Sequence, residues 1–236
     1  MATYKYKDGY YLLFPWANGG NLWDFWARQD PTGPKIQPNL LPWVAEQCVR
    51  LAKGLTKIHD AKVDNCSAAA PVNGQRDRGF HGDIKPENIL CFKEDPDNDL
   101  GDLRISDFGL TNFHSDKSKS LIPHNRPHSP TYRAPEIDLG KPLSRKYDIW
   151  GLGCVFLEMI VWLILGQKGL GEFGDSRFDE QEQELSQVKQ DNFFKIETGQ
   201  EKARVKESVT KVTLPFHFLS SKMIYRYPYK RLVSSP

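Results

Sequence analysis

The sequence predicts a mainly α-helical domain with a few short β-strands, and three observations carry that reading. Leu41, Val44, Cys48, Leu51, Leu55 and Ile58 recur at spacings of three and four, which puts one apolar stripe on a helix over about 40–59. Residues 149–165 (IWGLGCVFLEMIVWLIL) are almost continuously apolar, long enough for a central helix. The runs with strand character, at 10–14, 89–92 and 103–106, are short and bounded by turn-forming residues.

The elements follow in order. A strand at 10–14 leads into the turn signal Asn18, Gly19, Gly20, Asn21. A short helix is expected over 22–28, then a loop at 31–38 that carries Pro31, Pro34 and Pro38. After the 40–59 helix, the polar and small-residue-rich segment 61–78 reads as an exposed insertion. The runs at 89–92 and 103–106 flank an acidic loop and form a hairpin. Residues 110–130 are rich in Ser, Lys, His and Pro and read as a surface loop. A buried helix is expected over about 147–165. Its apolar run approaches the length of a membrane span, but it contains Glu158 and two glycines, and no second such run exists. Burial on all sides within one domain spanning 1–236 is the better reading, with residues 166–174 as a glycine-rich exit. The charged stretch 179–211 has helical composition, and the tail from 212 is aromatic and basic. No internal repeat is visible.

Composition narrows the function classes. Hydrophobic residues make up 39% and charged residues 26%, as in an ordinary globular domain. A formal net charge of +2 gives no reason to expect a nucleic-acid or anionic-membrane partner. Cys48, Cys66, Cys91 and Cys154 stand far apart with no CxxC pair, so neither a zinc site nor a disulfide framework is expected. Reduced thiols, with no signal peptide at the start, point to the cytoplasm or nucleus. Nothing in the sequence sets the oligomeric state.

The chemistry lies in four ordered motifs: His81-Gly-Asp-Ile-Lys-Pro-Glu-Asn88, Asp107-Phe-Gly109, Ala134-Pro-Glu136 and Asp148-Ile-Trp-Gly-Leu-Gly153. Their order places an acid, an amine, an amide and a second acid as phosphoryl transfer needs them. Asp83 can accept a proton from an attacking hydroxyl, while Asn88 and Asp107 offer oxygen ligands to Mg²⁺. In this order and spacing the motifs resemble the C-terminal lobe of a eukaryotic-type serine/threonine protein kinase, from about Tyr10 to Arg231.

The resemblance implies ATP and Mg²⁺ as cofactors and a protein substrate. It implies a catalytic loop at 81–90, with Asp83 as base and Lys85 on the γ-phosphoryl group, and an activation segment at 107–136. By the same resemblance Asn88 and Asp107 are the metal ligands. Ser129 matches the hydroxyl that touches the catalytic Asp and Lys, although an ordinary loop serine fits as well. Residues 13–20 resemble the inter-lobe hinge, with the Pro15 carbonyl and Ala17 N–H facing adenine and Leu90 packing beneath it. A plain strand-turn-helix is the other reading. Glu136 matches an acid that pairs with a late arginine, here Arg231, and Asp148 matches the acid that anchors the catalytic-loop backbone.

Several positions depart from the family. Gly82 replaces the arginine that pairs with a phosphorylated activation loop, so modification of Ser115, Ser118 or Ser120 is expected to matter less. MATYKYKDGYYLLF, ahead of Pro15, holds no Gly-rich loop, strand lysine or paired glutamate, so the small lobe is expected to be largely missing. Gly169-Leu-Gly-Glu-Phe-Gly174 reads as GxGxxG, but it follows the long helix and lacks the context of either a kinase or a dinucleotide loop. Tyr227 stands where the family has aspartate. Two functions follow: a serine/threonine kinase domain, weak or inactive as this chain, or a non-catalytic interaction module or fragment of a longer kinase.

Overall fold

Asn21 starts the first helix by a reciprocal cap: its side chain accepts the Asp24 N–H at 2.8 Å, and the Asp24 carboxylate accepts the Asn21 N–H at 3.4 Å. This helix, α1 (Leu22–Arg28), buries Leu22, Phe25 and Trp26. The computed structural model describes residues 2–7, 9–29, 31, 39–61, 78–94, 99–108, 112–114, 129–180, 190–197 and 202–213. Ahead of α1, β1 (Ala2–Tyr6) and β2 (Gly9–Leu13) form an antiparallel hairpin in which Tyr4 and Tyr11 stack at 4.9 Å. β1 carries no signal in the sequence, because every residue of it is exposed and shows no burial pattern.

The expected 40–59 helix is α2 (Leu40–Asp60). Its buried face is rotated from the expected stripe and runs through Leu40, Trp43, Val44, Gln47, Leu51, Leu55 and His59. Leu41 is 57% exposed, while Cys48 and Ile58 are half-buried. Two groups set the rotation. Trp43 stacks on Phe25 at 4.8 Å and donates its Nε1–H to the Gly101 carbonyl at 2.7 Å. Gln47 accepts the Leu103 N–H at 2.9 Å, so a polar residue satisfies a buried amide in the core.

That amide belongs to β5 (Asp102–Ile105), which pairs antiparallel with β4 (Ile89–Phe92), as expected of the hairpin. A further strand pair, β3 (Arg78–Phe80) with β6 (Asn112–His114), falls partly where a loop was expected. Residues 110–111 and 115–128 of that expected loop, and residues 62–77 of the expected insertion, lie outside the described residues.

After the short α3 (Pro135–Asp138) comes α4 (Arg145–Asp179), capped by Ser144 and broken at Gly166, whose φ of 67° and ψ of −170° are open to glycine. Two expectations are corrected here. The chain does not leave the helix after 166 but turns there and continues helically through Gly169, Gly171 and Gly174. Nor is the apolar run buried all round: Val155, Met159, Val161 and Trp162 are sealed in the core, but Ile149, Ile164 and Leu165 are exposed. α4 is long and apolar enough to cross a membrane, and half of its most apolar 18-residue stretch is buried inside the fold. The Trp162 indole donates to the carbonyls of Trp26 and Gln29, which ties α1 to α4.

The charged stretch after α4 has helical composition but weak periodicity. Its described part instead contains an antiparallel pair, β7 (Phe194–Ile196) with β8 (Ala203–Val205), and turns helical only over 207–213. Phe193 and Phe194 are buried, and these two side chains outweigh the helical composition around them.

Candidate active site

The site is built on Asp148, in the first turn of α4. Its carboxylate is fully buried and accepts three hydrogen-bond partners. Oδ1 accepts the Gly82 N–H at 2.8 Å. Oδ2 accepts the His81 N–H at 2.8 Å and lies 2.7 Å from Nε2 of His59, at the end of α2. Two backbone amides gripped side by side force a sharp turn, and Gly82 takes a φ of 86°, where a side chain would be strained. This is the anchoring role expected of Asp148; His59 was not singled out, since nothing in its spacing marks it.

The anchored turn carries the chemistry. The Nδ1 of buried His81 faces the Asp83 N–H at 3.2 Å, and its Nε2 lies 2.8 Å from the Ser106 carbonyl. Ser106 in turn donates its N–H and its hydroxyl to the Asn88 carbonyl at 2.8 and 2.9 Å. Asn88 closes the 3-10 turn Pro86–Asn88, and its Nδ2 donates to the carbonyl and Oδ2 of Asp83, both at 2.9 Å. The Lys85 ammonium lies 2.7 Å from the same Oδ2. Asp83, Lys85 and Asn88 therefore form one cluster. Asp107 follows Ser106 directly, exposed, with a φ of 62° as the chain leaves β5.

The donor set fits a hard divalent cation. The amide nitrogen of Asn88 is engaged by Asp83, which leaves its Oδ1 as an acceptor, and Asp107 adds a carboxylate next to Ser106, whose hydroxyl is bonded to the Asn88 carbonyl. Tyr147, adjacent to Asp148, was also missed. Burial, then the charges of Asp83 and Asp148, push its hydroxyl well up, so it stays a neutral phenol beside the cluster.

The expected hinge is strapped to β4. Gly19 donates to the Cys91 carbonyl at 3.0 Å, Cys91 donates to the Gly20 carbonyl at 2.8 Å, and the Asn18 side chain pairs with the Lys93 backbone. A Cβ on Gly19 would come within 2.6 Å of the Cys91 sulfur, so only glycine allows this approach. Ala17 is half-buried and Pro15 exposed, just ahead of the strap, and Leu90 on β4 is half-buried. Trp16 stands between them, 88% exposed.

Among the described contacts no hydrogen bond joins Ser129 to Asp83 or Lys85. It lines a separate cavity of about 600 Å³ with Glu87, Tyr132, Glu158 and Arg177. Glu136 is half-buried, and its expected partner Arg231 lies outside the described residues. The buried ion pair of the described chain is a different one. Glu158 and Arg177 lie 2.8 Å apart, Tyr132 donates its hydroxyl to Glu158 at 2.7 Å, and the rings of Phe173 and Phe193 cover the guanidinium at 4.2 and 4.1 Å. Burial pushes the Glu158 carboxyl up to about 6, against the pull of Arg177 and Tyr132. Fully buried Lys206 donates to the carbonyls of Arg177 and Gln190 at 2.6 and 2.9 Å, and burial pulls its ammonium down to about 8. Only the lone acid in the apolar run hinted at this network.

Among the described residues no three His, Cys, Asp or Glu side chains converge as a metal cluster, and Cys48, Cys91 and Cys154 are free thiols. The GxGxxG segment is helical and forms no phosphate loop.

Comparison with known proteins agrees with this geometry. The family model described as protein kinase domain matches residues 1–235. Homeodomain-interacting protein kinase 2 of Mus musculus is 36% identical over 183 residues, covering 77% of this chain and 13% of that protein. GLH-binding kinase 1 of Caenorhabditis elegans is 40% identical over 86 residues, covering 36% of this chain and 20% of its own. Calcium/calmodulin-dependent protein kinase type 1 of Macrobrachium nipponense is 28% identical over 155 residues, covering 66% and 36%. The chain thus spans only a minor part of each relative.

Proposed function

The chain belongs to the protein kinase family, and we propose that it carries the base and metal end of a serine/threonine kinase site. The single observation behind this reading is the cluster in which Lys85 and Asn88 both hold Asp83 Oδ2 while Asp148 fixes the backbone beneath. Asp83 would orient the acceptor hydroxyl of a protein serine or threonine and take its proton. Lys85, already beside that carboxylate, would stabilise negative charge developing on the transferred group. Asn88 Oδ1 and Asp107 would hold Mg²⁺, which, when bound with ATP, neutralises phosphate charge. Pro15, Ala17 and Leu90 would receive the adenine. Gly82 removes the arginine that reads a phosphorylated activation segment, so the anchored turn owes its shape to Asp148 and needs no such modification. Free thiols support a cytoplasmic or nuclear protein.

Turnover by this polypeptide alone is proposed to be weak. The residues ahead of Pro15 form the β1–β2 hairpin and supply neither a glycine loop nor a paired lysine. Losing one preorganised electrostatic contact costs roughly 10²–10³ in rate. The alternative, a non-catalytic interaction module, draws support from the residues ahead of Pro15, which supply no phosphate clamp. Transfer of the γ-phosphoryl group from ATP to mixed Ser/Thr peptides decides between them. A slow transfer removed by Asp83→Asn is expected. No Asp83-dependent transfer would leave the module reading, and a rate typical of intact kinases would overturn the weak one.

A further inference from the structure

The cavity of about 600 Å³ that holds Ser129 lies between α1, the 3-10 turn Pro86–Asn88 and the second half of α4. We propose that it receives the substrate polypeptide and selects a basic side chain near the acceptor serine or threonine. This rests on the phosphotransfer proposed above, because Glu87, in the cavity wall, stands two residues from Lys85. Three features of the wall carry it.

The first is charge. Glu87, Asp175 and Asp191 line the cavity, and the one cation in its described wall, Arg177, is already paired with Glu158 at 2.8 Å. Glu87 and Asp175 are exposed and make no ion pair with a described residue. The exposed rings of Trp23 and Phe178 suit the aliphatic stem and charged head of an arginine or lysine. The second is a donor without an acceptor. Arg177 is 2% exposed, and its Nη1 is buried with no hydrogen-bond partner among the described residues. Such a donor is costly, and a peptide carbonyl entering the cavity satisfies it. A lone metal cation answers the acids but not this donor, and a free anion answers the donor but meets the acids. A basic peptide answers both. The third is the helix surface. Gly171 and Gly174 stand inside α4, where alanine would favour the helix. A Cβ would meet nothing within 4 Å at Gly171, and only Arg177 Nη2 at 4.0 Å at Gly174. Packing among the described residues does not call for either glycine; a main chain lying close along the helix does.

Fluorescence anisotropy with three fluorescein-labelled peptides tests this. Each carries a central serine among alanines, flanked on both sides by arginine, by alanine or by glutamate. The full chain should bind the arginine peptide about tenfold more tightly than the alanine peptide, and the glutamate peptide least. Glu87→Gln with Asp175→Asn should erase that preference and leave the affinity for the alanine peptide unchanged, a split that a merely structural role would not produce. Both residues are exposed, and circular dichroism checks the fold. Gly171→Leu should weaken the arginine and alanine peptides alike. Equal affinity for those two peptides, no saturable binding of the arginine peptide, or a preference untouched by the double substitution would each overturn the proposal. Binding is read without ATP, so the two readings fail separately. An arginine preference in a chain without Asp83-dependent transfer upholds the basic-peptide site and overturns the phosphotransfer. Asp83-dependent transfer without that preference does the reverse.

Discussion

α4 carries two buried carboxylates, and they are satisfied in opposite ways. Asp148, in its first turn, accepts two backbone amides and faces the imidazole of His59. Glu158, further along, faces the guanidinium of Arg177 and the Tyr132 hydroxyl. The first shapes a loop: its partners are the backbone two residues ahead of Asp83, so its effect is felt where chemistry would occur. The second joins side chains that hold the second half of α4 against the segment around Phe193. Burial of charge is common to both; what the charge grips decides whether it serves the site or the fold.

The difference is sharpest when one partner is removed. Arg177→Met should cost about 3–5 kcal/mol, because Glu158 stays buried without its counter-charge, and a urea denaturation midpoint would show it. Asp148→Asn should cost less, about 1–3 kcal/mol, since one amide oxygen still accepts. Its signature is local: hydrogen exchange at His81 and Gly82 should quicken while the Glu158 region keeps its protection. If Asp148→Asn destabilised the chain as much as Arg177→Met without exposing those amides, the division of roles would fail.

A pH titration separates them further. The Glu158 carboxyl lies at about 6 in the fold against 4.5 outside it, so the folded state binds its proton more tightly. That contribution is complete below 4.5 and is lost as pH rises through 6, a change of about 2 kcal/mol. Denaturation curves of the native chain and of Glu158→Gln, measured between pH 4 and 7, should therefore differ in slope across that window. Lys206, pulled down to about 8 from 10.5, works the other way: its cost is relieved as pH rises from about 8 towards 10.5. The smallest effect is expected at Gly82, where alanine should cost about 1 kcal/mol for its φ of 86°, read as a small fall in melting temperature.

The two regions also differ in how legible they were. The catalytic cluster announces itself because its parts lie within a few residues of one another, from His81 to Asn88, although the bond from the Asn88 amide to Asp83 is visible only in the fold. Asp148 was legible through its motif. His59 and Tyr147 were not, since each acts through a neighbour distant in the chain or through burial. The Glu158 network was nearly invisible: Arg177 and Lys206 sit in charged stretches that look solvated, and only the fold brings them under Phe173 and Phe193. Helix extents read well where caps and periodicity agree, as at 22–28. The face of α2 did not, because Gln47 is in the core for a hydrogen bond that hydrophobic spacing cannot register. Strands β7 and β8 were hidden by the charged residues around Phe193 and Phe194.

Calorimetric titration of the chain with ATP, with and without Mg²⁺, tests the central claim most directly. ATP affinity should depend on Mg²⁺ and fall about tenfold or more in Asp107→Asn, while Asp83→Asn, which alters the base and not the metal oxygens, should leave it nearly unchanged. ATP binding indifferent both to Mg²⁺ and to Asp107→Asn would contradict the assignment of Asn88 and Asp107 as the metal end of a phosphoryl-transfer site.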